Sequence, residues 1–119
     1  MSPDPAPGSI SVGASAYARD RDGQAVDRRA PGTAFGPCID VYAPGDSVML
    51  PGFTAAREHN AQLWNGTSMS AGYVSGAAAL YLEANPAASP KDVADWIRDS
   101  GTRNVVADTR SRGSRMLFV

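Results

Sequence analysis

The sequence predicts an α/β fold. Three observations carry that reading: two short β-branched or small-residue runs near the start, a long apolar helix through the middle, and an amphipathic helix after it. Each run is stopped by glycine or proline, the strongest breakers of regular structure. The mixture alone gives the class and leaves the particular fold open.

In order, residues 1–8 are proline-rich and read as irregular. Ser9-Ile10-Ser11-Val12-Gly13-Ala14 reads as a short strand alternating small and apolar side chains. Residues 19–33, opening with Arg19-Asp20-Arg21-Asp22-Gly23, are charged and punctuated by glycine and proline, and predict an exposed loop. Cys38-Ile39-Asp40-Val41-Tyr42-Ala43 predicts a second strand ending at Pro44-Gly45, and Ser47 to Leu50 a third before Pro51-Gly52.

The helices are clearer. From Ser70 to Glu83 the chain is rich in alanine, valine and leucine, and Val74, Ala77, Ala78, Tyr81 and Leu82 follow helical spacing. Gly72, Ser75, Gly76 and Ala79 allow close approach, so this helix is expected to be buried. It should stop at Asn85-Pro86, because a residue before proline disfavours the helical region. The second helix starts at Ser89-Pro90-Lys91-Asp92: Ser89 is a good N-cap, Pro90 suits the first turn, and Asp92 complements the helix dipole. Val93, Trp96 and Ile97 form its apolar stripe, and Gly101 stands where a C-cap belongs. A short apolar tail follows at Met116–Val119.

Composition excludes several function classes. The chain has 119 residues, 43% hydrophobic and 19% charged, a single domain's worth of sequence or less. A formal net charge of −1 gives no electrostatic case for nucleic acid or an anionic membrane. The arginines at 28–29 and at 110, 112 and 115 read as solvated loop residues. No run approaches the roughly 18 apolar residues of a membrane span. Met1–Pro7 lacks the charged and apolar regions of a signal peptide. Cys38 is the single cysteine, so it is a core thiol, a reactive thiol, or half of a bond whose partner lies elsewhere.

Chemistry concentrates at Asn65-Gly66-Thr67-Ser68-Met69-Ser70. A serine hydroxyl is a weak nucleophile until a base takes its proton and donors receive the oxyanion. The start of a buried helix offers free N–H groups, partial positive charge and a fixed position. The plainer reading is that Thr67 and Ser68 only cap the helix. The flanking sequence decides for catalysis, because Asn65 through Pro86 resembles the serine motif and following helix of subtilisin-like peptidases, in particular the proteinase K branch. Ser11-Val12-Gly13-Ala14-Ser15 resembles that family's T-V-G-A strand, and Cys38 to Gly45 its C-V-D-x-F-A-P-G segment. Ser89-Pro90 matches the start of its next helix, and Gly113 to Leu117 resembles its closing G-S-P-N-R-L-L.

The resemblance implies the C-terminal portion of a three-layer α/β/α fold with a mostly parallel sheet, covering residues 1–119. It implies a serine endopeptidase acting on proteins or peptides through an Asp/His/Ser triad. Ser68 is the nucleophile of that triad, and its own N–H is an oxyanion donor. The triad aspartate and histidine, and the oxyanion-hole asparagine, are expected upstream of Ser2. The missing N-terminal part of the domain is therefore an expected partner, and the isolated chain is expected to be inactive. The alternative is a catalytically inactive, truncated or degenerate remnant, or half of a split protein. His59, nine residues before Ser68, reads as a surface histidine of a variable loop rather than the base.

By the same resemblance Asp40 matches a structural aspartate that binds calcium together with carbonyls matching Pro7 and Ser9; a metal-free aspartate at a strand is the competing reading. No cofactor is implied for the chemistry itself. Some relatives pair a cysteine at the Cys38 position with one lying just before the match to Ser2-Pro3. Secretion is implied by family. Two departures stand out: Gly72 and Tyr73 occupy the P-H of the family's G-T-S-M-A-x-P-H-V-A-G, and Gly32 replaces the aromatic of its F-S-x-x-G.

Overall fold

A computed structural model describes residues 8–52 and 61–119. Within them β1 runs from Val12 to Arg19, carrying on five residues past the predicted Ala14. Its interior is small because both faces are covered. Ala14 and Ala16 pack with Ala30 on one side. At Gly13 a side chain would meet the Tyr42 ring, with a Cβ only 2.5 Å from Cε1.

The charged stretch after β1 is not the loop its composition predicts. It turns at Asp20–Gly23 and returns as β2 (Ala25–Arg29), antiparallel to β1 from Ser15↔Arg29 to Arg19↔Ala25. Asp20 closes the turn: its Oδ1 accepts from the N–H of Asp22 and of Gln24, both at 2.9 Å. Gly23 supplies a positive φ of 78°. A turn-forming aspartate and a glycine look like an open loop in sequence, but here they join two strands.

β3 (Val41–Pro44) lies parallel to β1, with Val12↔Val41 and Ala14↔Ala43 in register. It begins three residues later than the sequence suggests, so Cys38 lies outside it and is exposed, which removes the core-thiol reading. β4 (Val48–Pro51) pairs antiparallel with β5 (Ala61–Trp64) as a separate two-stranded sheet.

α1 spans Thr67–Ala84 and α2 Pro90–Ser100, close to the predicted limits. α2 opens with a full capping box: the Asp92 N–H donates to Ser89 Oγ at 3.2 Å, and Asp92 Oδ2 accepts from the Ser89 N–H at 2.8 Å. Gly101 does end α2, but with an ordinary φ of −59°. Its missing side chain serves close approach instead, since a Cβ there would stand 3.0 Å from Arg115 Cβ.

Three two-residue strands complete the main sheet: β6 (Thr102–Arg103), β7 (Val106–Ala107) and β8 (Arg115–Met116). The strand order is β6-β8-β3-β1-β2-β7. The middle of the sheet, β8-β3-β1, is parallel, as is β2-β7. Both helices cover one face, where Val41 and Ala43 pack with Val74 of α1 and with Val93 and Ile97 of α2. The Tyr81 and Trp96 rings stack at 4.8 Å between the helices. On the opposite face Tyr42 packs with Ile39 and Val106. The α/β class that the sequence predicts is present, as is the mostly parallel sheet that the resemblance implies.

α1 departs from expectation in one respect. Its sequence is apolar on all sides, yet only Ser70, Val74 and Ala77 are buried. Tyr73, Leu80 and Leu82 are exposed.

Candidate active site

Ser68 is the second residue of α1 and is exposed. Its place is set by contacts between the start of α1 and the end of β3. Gly66 is the N-cap, with φ 143° and ψ 161°, a region that a residue bearing a side chain rarely enters. The Gly66 N–H donates to the Gly45 carbonyl at 2.7 Å. The Asn65 side chain accepts from the Ser47 N–H at 2.6 Å.

Ser70 supplies the deepest anchor. It is fully buried, and its hydroxyl donates to the Ala43 carbonyl at 2.9 Å, with the Pro44 carbonyl at 3.1 Å. A hydroxyl has one proton, so the two carbonyls share it. Gly45 makes this approach feasible: a Cβ there would lie 2.5 Å from Ala14 Cβ and 2.9 Å from the Gly66 carbonyl oxygen. The start of α1 is thus tied at Asn65, Gly66 and Ser70 to the Ala43–Ser47 segment, and the Ser68 side chain takes part in none of these bonds. No hydrogen bond joins that side chain to another described residue.

The Ser68 N–H belongs to the first turn, where amides have no partner within the helix. Beside it runs an apolar groove of about 600 Å³, bordered by Val48, Leu50, Met69, Tyr73 and Leu80. Gly72 opens onto this side, with nothing within 4 Å of where its Cβ would be. An activated hydroxyl, an unpaired amide and an apolar trough beside them could receive a peptide carbonyl and its flanking chain. The base that would activate the hydroxyl is not among the described residues. His59 lies outside them.

Asp40 sits at the other end of β3, away from Ser68. Its Oδ2 accepts from the Ser11 N–H at 2.8 Å, and its Oδ1 from Arg98 Nε at 2.9 Å. The Asp40 carboxylate raises the Arg98 pKa above the ordinary arginine value, chiefly through that hydrogen bond. Pro7 lies outside the described residues, and Ser9 lies within them. Calcium takes six to eight oxygens and favours free carboxylate and carbonyl lone pairs. Here both carboxylate oxygens receive N–H donors, one of them a cation, and the described residues hold no cluster of three or more His, Cys, Asp or Glu side chains. As arranged, Asp40 does not fit calcium.

Two residues of this region carry no sequence signal that would have picked them out. Ser70 reads as one more small residue in an apolar helix; only its position facing Ala43 gives it a role. Arg98 stands 58 residues from Asp40 in the chain. The nearest hint is its place beside Ile97, at the edge of the inward stripe of α2.

Comparison with known proteins places the chain in a family and shows the same fold in a solved structure. The model of the subtilase family matches residues 1–114. An extracellular serine proteinase of Thermus sp. (strain Rt41A) is 37% identical over 110 residues, 92% of this chain and 24% of the relative. The alkaline serine exoprotease A of Vibrio alginolyticus is 33% identical over 93 residues, 78% of this chain and 17% of that protein. The crystal structure of a cold adapted subtilisin-like serine proteinase superposes with a TM-score of 0.72 at 28% identity, covering 94% of this chain and 37% of the other. The chain therefore spans about a quarter or less of the length of these two sequence relatives.

Proposed function

The chain belongs to the subtilase family, and on that premise we propose that residues 1–119 are the C-terminal segment of a serine endopeptidase catalytic domain with Ser68 as its nucleophile. The observation that carries the proposal is the position of Ser68, exposed in the first turn of a helix whose start is bonded to the end of β3.

In this reading Ser68 Oγ attacks the carbonyl carbon of a peptide bond in a protein or peptide substrate. A histidine, oriented by an aspartate, takes the hydroxyl proton and passes it to the leaving amine. The Ser68 N–H donates to the oxyanion, and water then hydrolyses the acyl-enzyme. The histidine, the aspartate and a second oxyanion donor come from polypeptide upstream of Ser2. No cofactor takes part.

The surface of α1 supports such a partner. A helix apolar on all sides belongs in a core, yet Leu80 is 59% and Tyr73 48% exposed. Apolar grooves run along it, one of about 600 Å³ beside Ser68 and one of about 480 Å³ between Ile10, Val12 and Val93. The occupant proposed is the upstream part of the same domain. Relatives named as extracellular proteinases favour a secreted protein. No helix among the described residues is long and apolar enough to cross a membrane, and the net charge of −1 favours neither nucleic acid nor an anionic surface.

The test is labelling with a serine-directed fluorophosphonate. The 119-residue chain alone is expected to remain unlabelled. Co-expressed with the upstream segment of its own gene, it is expected to label at Ser68, and Ser68→Ala should abolish the signal. Labelling of the chain alone would overturn the dependence on upstream residues. A folded, complemented domain that never labels would instead favour the inactive-remnant reading, for which the supporting observation is a Ser68 hydroxyl with no partner among the described residues.

A further inference from the structure

Asp40 is a junction of three elements. Its carboxylate accepts from the Ser11 N–H just before β1, its own N–H donates to the Ser11 carbonyl at 2.9 Å, and its Oδ1 faces Arg98 in the last turn of α2. The ion pair is only partly exposed, 32% for the arginine side chain and 25% for the aspartate. Arg98 is held from its other side too, with an Nη atom 3.7 Å from Asp95 Oδ1 one turn earlier on the same helix. A guanidinium cannot lose its proton in a protein, so this positive charge is permanent. It is also covalently fixed to the helix that must dock there.

We propose that Arg98 serves as a built-in cation at Asp40, doing for β1, β3 and α2 what a bound metal ion would otherwise do. The chain then needs no calcium to hold this junction. Two facts favour the arginine over an ion. Calcium would have to displace a guanidinium already bonded at 2.9 Å, and among the described residues no cluster of three or more His, Cys, Asp or Glu side chains is present to compete for the ion with Arg98. The Arg98 charge also lies at the C-terminal turn of α2, where a cation is favoured by the helix dipole. The inference is independent of whether Ser68 is catalytic.

The experiment is a proton–nitrogen correlation spectrum of the full chain, following the Arg98 Nε–H and Ser11 N–H signals. The expected result is a distinct Arg98 Nε–H signal whose exchange with water is slower than that of exposed Arg21. Asp40→Asn should abolish the slowing. Calcium chloride up to about 10 mM, above the roughly 0.1–1 mM range of extracellular calcium modules, should move neither signal. Saturable calcium shifts at Ser11 and Arg98 that Asp40→Asn removes would overturn the proposal. So would the absence of a slowed Arg98 signal, or slowing that survives Asp40→Asn.

Discussion

Replacing Tyr42 by phenylalanine should make this protein more stable. Tyr42 is 1% exposed, and its hydroxyl is buried with no hydrogen-bond partner among the described residues. The ring itself is well used: it fills the space over Gly13 and packs with Ile39 and Val106. Leaving a buried hydroxyl unsatisfied costs about 1–3 kcal/mol. Removing one oxygen leaves a void smaller than a methyl group, worth about 1 kcal/mol or less. The balance is a gain of about 1 kcal/mol, or about 4 °C in Tm for a chain of this size. Urea unfolding followed by tryptophan fluorescence reads it directly.

A pH series sharpens the same experiment. Burial raises the Tyr42 pKa, and nearby Arg29 only partly opposes it. The neutral phenol is therefore favoured in the folded state. Stability from that preference is complete below the unfolded value near 10 and is lost as pH rises through the folded value. The advantage of Tyr42→Phe should consequently grow above about pH 10. A variant less stable than the parent at neutral pH, with no widening gap in alkali, would refute the reasoning and mean that the hydroxyl has a partner.

Two further outcomes follow from the junctions at α1 and α2. Gly45→Ala should cost about 1–3 kcal/mol, the range for overpacking, because its Cβ would press on Ala14 and the Gly66 carbonyl; in a complemented, active domain it should also slow fluorophosphonate labelling of Ser68, and unchanged labelling would mean that the β3–α1 contact does not position the serine. The Asp92 carboxyl is held below its ordinary pKa, first by the Ser89 hydroxyl and then by the Ser89 N–H. Its contribution is present above the unfolded value near 3.9 and is lost as pH falls through the folded value. Asp92→Asn should therefore flatten the acid limb of the stability profile below pH 4, and parallel acid limbs would show that the capping box does not form.

How much of this was legible beforehand depends on where the determining contacts lie. α2 was readable almost to the residue, because Ser89, Pro90, Asp92 and the Val93–Ile97 stripe all act within a turn or two. The limits of α1 were readable for the same reason. β2 was missed because its side chains are charged and partly exposed; what makes it a strand is pairing to β1 across a turn closed by Asp20. β5 was missed because nothing in Ala61–Trp64 requires a strand without β4 beside it. The two-residue strands β6, β7 and β8 exist only as partners of longer ones. At the candidate site, Ser68 was found through its neighbours in the sequence, whereas Ser70 and Arg98 take their roles from residues 27 and 58 positions away.

The outer edge of the sheet has a consequence for how the chain is made. β2 is completed by β7, with Asp27 opposite Val106, and Arg29 reaches Asp108 at 3.2 Å. The guanidinium groups of Arg29 and Arg110 each lie over the Phe35 ring, 4.9 and 4.6 Å from its centroid. β3 likewise waits for Met116 opposite Tyr42. On a ribosome the first strands emerge long before the residues that flank them. The β1–β2 hairpin can form early, but its outer edge stays open until Val106 and Ala107 have left the exit tunnel. Docking of β7 and β8, rather than synthesis of β1 to β3, is the step at which this sheet can close, and removing residues 106–119 should leave a sheet that never completes.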